Sequence, residues 1–365
     1  MKNFNIDKIV RPHLLSLVTY DAVNPPDLLS QKSGIPENEI IKLNGNENPY
    51  GASPKAIESL NQAQVHLYPD PDQIRIRKAI SAYTGLPIDN IVAGAGADEI
   101  IDLIFRIFIS PGDSILDCSP TFGMYSFCAK IAGANVKFAE RDSNYDLNIE
   151  EIEKNIDSST KLIFITSPNN PTGNLVSYDH ITYLLEKDIL LVVDEAYFEF
   201  AKSSVQNLVL EHPNLIVLRT MSKWAGLAGL RVGYGLMHSS ATKYLMEIKP
   251  PYNVNVSAEA ALLASFEDIE FLQKNVDKII VGRNWMNVEL NKINGLTAYP
   301  SSGNYILCEF TENHCKTVFG ELEENGIFVR KFHTERLKNS FRISIGTETQ
   351  NQKVLKTIQK AMNNE

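Results

Sequence analysis

The sequence predicts an α/β protein: a large domain with a mostly parallel, seven-stranded-type sheet flanked by helices, a smaller α+β domain, and an N-terminal arm. Seven short apolar runs, the helix-like stretches between them, and a change of character after residue 256 carry that reading. The runs are "NIVAGAGADE", "DSILDCSP", "VKFAE", "KLIFITSP", "ILLVVDEAY", "LIVLRT" and "RVGYGL". Most are nearly continuous in Ile, Leu and Val and do not alternate with polar residues, which suits strands covered on both faces. Strands separated by helices imply βαβ units and a largely parallel sheet.

The first 40 residues, with "NPPDLL" and "SGIPENE", read as an arm, and 41–256 as the large domain. Residues 257–365 form the smaller domain, where 257–293 read as long helix and "NYILCEF", "IFVRKF" and "FRISIG" as short strands. A last helix begins near Thr347. Thr347 and Gln350 have capping-box spacing, and Val354, Leu355, Ile358 and Met362 share one face.

Composition narrows the function. The chain has 365 residues, 44% hydrophobic and 22% charged, which is ordinary for a soluble globular protein. A net charge of −9 argues against general binding to nucleic acid or anionic membranes. The four cysteines lack CxxC spacing and the seven histidines form no HExxH-type cluster, so no metal site is expected. The N-terminus lacks a signal-peptide core. No run reaches the roughly 18 apolar residues of a membrane span. A reducing, cytoplasmic compartment is expected.

Polar residues recur where apolar runs end. Asn169 and Asn170 follow "LIFITSP", Asp194, Glu195 and Tyr197 follow "ILLVV", and Ser222 and Lys223 follow "LIVLRT". In parallel α/β sheets the ligand crevice lies outside the carboxyl ends of the strands, so these groups are expected to converge. Singly, each has a plainer reading: an Asn-Pro turn, a helix cap, a solvated lysine. Within "RTMSKWAGLAGLRVGYG" (219–235), Lys223 and Arg231 have no acidic residue to neutralise them. Buried cations without partners are costly. Both therefore reach solvent, or a bound anion and a covalent partner complete them. "GAGADE" (94–99), between a strand and a helix, offers N–H groups for an anion or is a plain tight turn. It is neither a Rossmann fingerprint nor a P-loop.

"SPNNPTG", "DEAY", "SK" with an arginine eight residues later, and "GADE" together resemble the fold-type-I pyridoxal-phosphate aminotransferases. "VRPHLLSLVTY", "KLNGNENPYG", "YPDP", "PTFGMY", "LRTMSKWAGLAGLRVGYG" and "PYNVNVS" are similar to the histidinol-phosphate aminotransferase branch, from residue 10 to about 345.

The resemblance implies pyridoxal 5'-phosphate as cofactor, held covalently by Lys223, which also relays the substrate proton. It implies that Arg231, Ser222 and the N–H groups of Ala97 and Asp98 bind the cofactor phosphate. Asp194 would keep the ring nitrogen protonated, Asn170 and Tyr197 would hydrogen-bond the ring oxygen, and Phe122 would stack on the ring. Tyr68 matches a tyrosine that reaches the phosphate from a neighbouring subunit, implying a homodimer. Arg330 and Arg342 match arginines for the substrate phosphate, with Tyr20 beside them and Asn304 orienting the arginine. "LVTY" departs from the proline that many relatives have before the tyrosine.

The implied activity is transamination of L-histidinol phosphate with 2-oxoglutarate. A threonine-phosphate decarboxylase-like lyase and an aromatic amino acid aminotransferase share the cofactor pattern. A cofactor-sensing regulator would need a fused helix-turn-helix domain, for which the chain is expected to have no room.

Overall fold

The computed structural model describes residues 4–311 and 314–363. The outermost residues of the expected arm and smaller domain, 1–3 and 364–365, and residues 312–313 lie outside the described residues. Twelve strands fall into two sheets. In chain order they are β1 (Ile41–Leu43), β2 (Ile91–Gly94), β3 (Ser114–Asp117), β4 (Asn135–Phe138), β5 (Thr160–Thr166) and β6 (Leu190–Asp194). Then come β7 (Leu215–Thr220), β8 (Gly233–Met237), β9 (Leu296–Ala298), β10 (Tyr305–Phe310), β11 (Ile327–Lys331) and β12 (Ser340–Ser344).

All seven expected runs form one sheet, ordered β2-β8-β7-β6-β5-β3-β4. From β3 to β7 the pairings are parallel. β8 runs antiparallel to both β2 and β7. The physical reason is the connection: between β7 and β8 lies only the short turn of 3-10 helix Ala228–Leu230, and parallel return needs a long crossover. Leu162 and Phe164 face one core while Ile163 and Ile165 face the other, so an unbroken apolar run is what a two-sided strand requires. At the edge, β4 leaves Asn135 and Phe138 exposed.

The second sheet is ordered β1-β11-β12-β10-β9. It contains the three expected C-terminal strands and two that the sequence pattern concealed, each only three residues long. β1 pairs in parallel with β11, so the segment just after the arm adds to the smaller sheet. The expected long helix over 257–293 is two, Val256–Phe266 and Ile269–Leu290. Lys55 Nζ donates to the carbonyl of Glu267 at 3.0 Å and finishes the first helix, which packs on helices Pro54–Leu60 and Ile74–Thr84. Elements thus cross both expected limits, at 41 and at 256. The final helix, Glu348–Asn363, opens on the expected capping box: Thr347 N–H donates to Gln350 Oε1 (2.9 Å) and Gln350 N–H to Thr347 Oγ1 (3.4 Å).

The arm lies across helix Met124–Ala132. His13 Nε2 is 3.2 Å from the Ile131 carbonyl, and the Tyr20 ring packs against Phe122 and Phe127.

Arg219 joins β7 to the end of β6. Its Nε and Nη2 donate to Glu195 Oε2 at 3.0 and 2.8 Å, and its guanidinium lies 3.5 Å above the Phe198 ring. Both partners are almost wholly buried. Removing one member of such a pair strands the other charge in the interior. Arg219→Ala should therefore cost about 3–5 kcal/mol of stability. Replacing Arg219 and Glu195 together with methionine should cost far less, as read from urea unfolding midpoints.

Candidate active site

The ends of β5 and β6 stop level, because Thr166 pairs with Asp194 across the ladder. β7 pairs Leu218 with the same Asp194, so Ser222 and Lys223 emerge one short turn beyond it. The buried Asp194 carboxylate accepts the Tyr125 hydroxyl at Oδ2 (2.7 Å) and the Ala196 N–H at Oδ1 (3.0 Å). Burial pushes this carboxyl up to about 6, with those two hydrogen bonds opposing the rise. Among the described residues no cationic side chain is among the groups that perturb it.

Lys223 is only partly accessible and donates to the Gly45 carbonyl at 2.8 Å. Burial first, and the Arg342 charge next, lower its amine to about 8.

Arg231 has a protein partner that the sequence did not disclose. Its Nη2 meets Asp98 Oδ2 at 2.9 Å, while Nη1 donates to the Ala228 carbonyl (3.0 Å) and approaches Ser222 Oγ at 3.4 Å. Its side chain remains about half exposed. The backbone explains the close approach: Gly96 has φ +83°, and a Cβ there would stand 2.6 Å from Arg231 Nη2. A Cβ on Gly233 would stand 2.6 Å from the N–H of Ala97, which opens helix Ala97–Phe108. Arg231, Ser222 and that helix start form a cradle whose space depends on two glycines.

On the other side of Asp194, Tyr197 accepts a hydrogen bond from Asn46 Nδ2 (2.8 Å), and burial pushes its phenol up to about 12. Phe122 stands edge-on to Tyr125. Asn170 Oδ1 accepts from Arg342 Nη1, whose Nη2 donates to the Asn44 carbonyl at 2.7 Å. Arg342 is buried and its Nε has no partner. Directly opposite it across the antiparallel β11–β12 pair is Arg330, bonded to the Asp21 carbonyl (2.7 Å) and carboxylate (3.2 Å). Tyr20 lies near both arginines, and burial raises its phenol.

Asn304 departs from expectation. It bonds neither arginine; its Nδ2 donates to the Asn46 carbonyl at 3.0 Å and its own carbonyl accepts Ile345 N–H. It precedes β10, whose first residue Tyr305 faces Ser344, so its side chain meets the 44–48 loop instead. Tyr68 is also apart. Its ring is 81% exposed and stacks on Tyr252, 4.4 Å away. The sequence reading missed Tyr125 and Asn46. Asn46, at φ +53°, is bound by Tyr197, Asn304 and Ser344 together. Its signal was "NGN", a polar turn beside a glycine.

The model for aminotransferase class I and II matches residues 38–358. The histidinol-phosphate aminotransferase of Roseiflexus castenholzii is 41% identical over 361 residues, covering 96% of this chain and 97% of that protein. The chain belongs to the class I and II aminotransferases, in the histidinol-phosphate aminotransferase family. A chloroplastic member from Arabidopsis thaliana is 42% identical over 93% of this chain and 82% of its own length. Among solved structures, the histidinol-phosphate aminotransferase of Sinorhizobium meliloti in complex with pyridoxal-5'-phosphate superposes with a TM-score of 0.88. It covers 100% of this chain and 98% of its own at 21% identity, a likeness of fold. The Clostridium acetobutylicum enzyme has a TM-score of 0.83 at 27% identity, over 89% of this chain and all of its own.

The residues here fit that group. A buried carboxylate without a cation suits a protonated ring nitrogen, the two-glycine cradle suits a phosphate, and a lysine lowered to about 8 suits a carbonyl carbon. Lysine in an unfolded chain titrates near ~10.4, so the folded state sheds this proton first. The unfolded chain then binds more protons between about 8 and that value, and stability from this group rises with pH across the window. In cofactor-free protein, acylation of Lys223 followed by peptide mass spectrometry should titrate with a midpoint near 8. Exposed lysines should titrate well above it.

Proposed function

We propose that this chain transfers the amino group of L-histidinol phosphate to 2-oxoglutarate, using pyridoxal phosphate and forming imidazole acetol phosphate and L-glutamate in histidine biosynthesis. The carrying observation is the pair Arg330 and Arg342, directly opposed on neighbouring strands beside Lys223. Like charges so placed repel and destabilise a sheet unless an anion joins them. Asp21 answers only Arg330, and Arg342 keeps an unpartnered Nε inside the protein. A phosphate dianion satisfies both.

Bound pyridoxal phosphate supplies the electron sink that lets the amino-bearing carbon release its proton. The chain's part is to bind, orient and move protons. Lys223 anchors the cofactor and, once displaced by the substrate amine, takes the proton at the substrate carbon and returns it to the cofactor carbon. Asp194 holds the proton on the ring nitrogen. Asn170 and Tyr197 orient the ring oxygen, Phe122 covers the ring, and Arg231, Ser222 and the N–H groups of Ala97 and Asp98 hold the phosphate. Tyr20 closes over the substrate phosphate beside the arginines, and Asn304 acts indirectly by fixing Asn46.

The assembly is a homodimer. Tyr68 borders an open cavity of about 500 Å³ with Leu67, Arg75, Glu259 and Leu263, and Val65 and Leu67 are exposed nearby. Such a face suits a second copy of the chain, with Tyr68 reaching its phosphate cradle. Among the described residues no helix is long and apolar enough to cross a membrane. The four cysteines are free, which fits the reducing cytoplasm.

The test of substrate is a single half-reaction followed by cofactor colour. Hydrogen bonds to charged groups are worth roughly 1.5–3 kcal/mol each. Arg330→Ala or Arg342→Ala should thus weaken histidinol phosphate about tenfold to a hundredfold. Unphosphorylated histidinol should lose much less, and equal losses with both amines would remove the phosphate assignment.

The shared site has its own test. Lys223→Ala and Tyr68→Phe proteins, each impaired, are mixed under conditions of proven subunit exchange. Hybrid dimers should regain activity, since one of their sites has neither lesion. No recovery would confine Tyr68 to its own subunit.

A further inference from the structure

We propose that Tyr125 is a positioning residue whose hydroxyl, backed by Thr166 and Thr121, holds Asp194 as the anion aimed at the cofactor ring nitrogen; this rests on the cofactor reading above. Tyr125 is fully buried, its ring stacked on Phe164 at 4.5 Å and 9°. That stacking fixes where the hydroxyl points. It donates to Asp194 Oδ2 at 2.7 Å and lies 2.8 Å from Thr166 Oγ1. Thr166 Oγ1 is in turn 3.1 Å from Thr121 Oγ1, and Thr121 donates to Asn169 Oδ1 at 2.8 Å. The Asn169 amide cannot be reversed, because its Nδ2 donates to the Pro120 carbonyl at 2.9 Å.

This run has four contacts and only three hydroxyl protons. With Asp194 ionised, Tyr125 donates to it, Thr166 donates to Tyr125, and Thr121 donates to Asn169. The contact left without a proton is then Thr121 to Thr166, the longest of the four at 3.1 Å. With Asp194 neutral, its carboxyl proton would be the fourth, and Tyr125 would turn to Thr166. Tyr125 therefore has two settings, and the charge on Asp194 selects between them. The surroundings otherwise oppose the charge. Asp98 and Glu195 are nearby anions, the phenols of Tyr197 and Tyr305 lie close, and the only other donor to the carboxylate is Ala196 N–H.

Two substitutions have different consequences. Tyr125→Phe keeps the stacked ring and deletes the donor to Asp194. Thr121→Val deletes one proton and two contacts, leaving two protons for two contacts, matched to the ionised carboxylate. The experiment re-titrates the full cofactor-free chain with pyridoxal phosphate and with its analogue carrying C–H in place of the ring nitrogen, by fluorescence near neutral pH. Tyr125→Phe should weaken pyridoxal phosphate about tenfold to a hundredfold. The deficit should shrink for the analogue, which has no ring proton to hold, and Thr121→Val should bind pyridoxal phosphate much as the parent does. Equal weakening of both ligands by Tyr125→Phe, no weakening of either, or an equal loss in Thr121→Val overturns the proposal. A parent chain that takes up no pyridoxal phosphate overturns the cofactor reading, and this proposal with it.

Discussion

The structure depends on the level ending of β5, β6 and β7. Thr166, Asp194 and Leu218 share one rung, so whatever follows each strand begins at the same height. Asn169 and Asn170 lie just past the first strand, Tyr197 past the second, Lys223 past the third. The antiparallel return of β8 then brings Gly233 beside both Thr220 and Gly94, setting Arg231 against the helix that starts at Ala97. The buried bond between Arg219 and Glu195 ties two of these strand ends together from behind. Slipping one strand by a residue would reverse every side chain on it and dissolve the arrangement.

The charges around this rung are segregated. Asp194 is an anion with hydrogen bonds but no cation, whereas Lys223 and Arg342 depress one another's protonation across the cleft. Low dielectric makes each imbalance costly for the free protein and useful for a ligand of opposite sign. A molecule that is cationic at its ring nitrogen and anionic at its phosphate meets both needs. The protein is thus electrostatically complementary to its cofactor before binding, and little rearrangement of these groups is required.

The first sheet and the polar groups at its strand ends were legible because both follow from short-range patterns. Unbroken Ile-Leu-Val runs reported two-sided burial, and Thr347 with Gln350 marked a helix start. What was hidden depended on distant segments meeting. β1 has three residues and gains its identity from β11. Asp98 and Arg231 come together through the β2–β8 pairing, which the isolated segment 219–235 cannot express. Asn304 reads as a neighbour of the arginine strands, yet the register of β10 turns it to Asn46. Tyr125 looked like one more apolar position of a helix, since its function lies in a hydroxyl whose partners are on β5 and β6.

The parallel pairing of β1 with β11 has a consequence for biogenesis. The carbonyl that receives the Lys223 amine belongs to Gly45, two residues past β1, and β1 is held at its edge of the sheet by residues around Ile327. A chain emerging amino-terminus first can assemble the large sheet while this segment still lacks its partner strand. Closing so wide a loop is an entropic cost met late, after most of the polypeptide has been synthesised. The residues that seat the reactive lysine are among the earliest translated and the last to find their place.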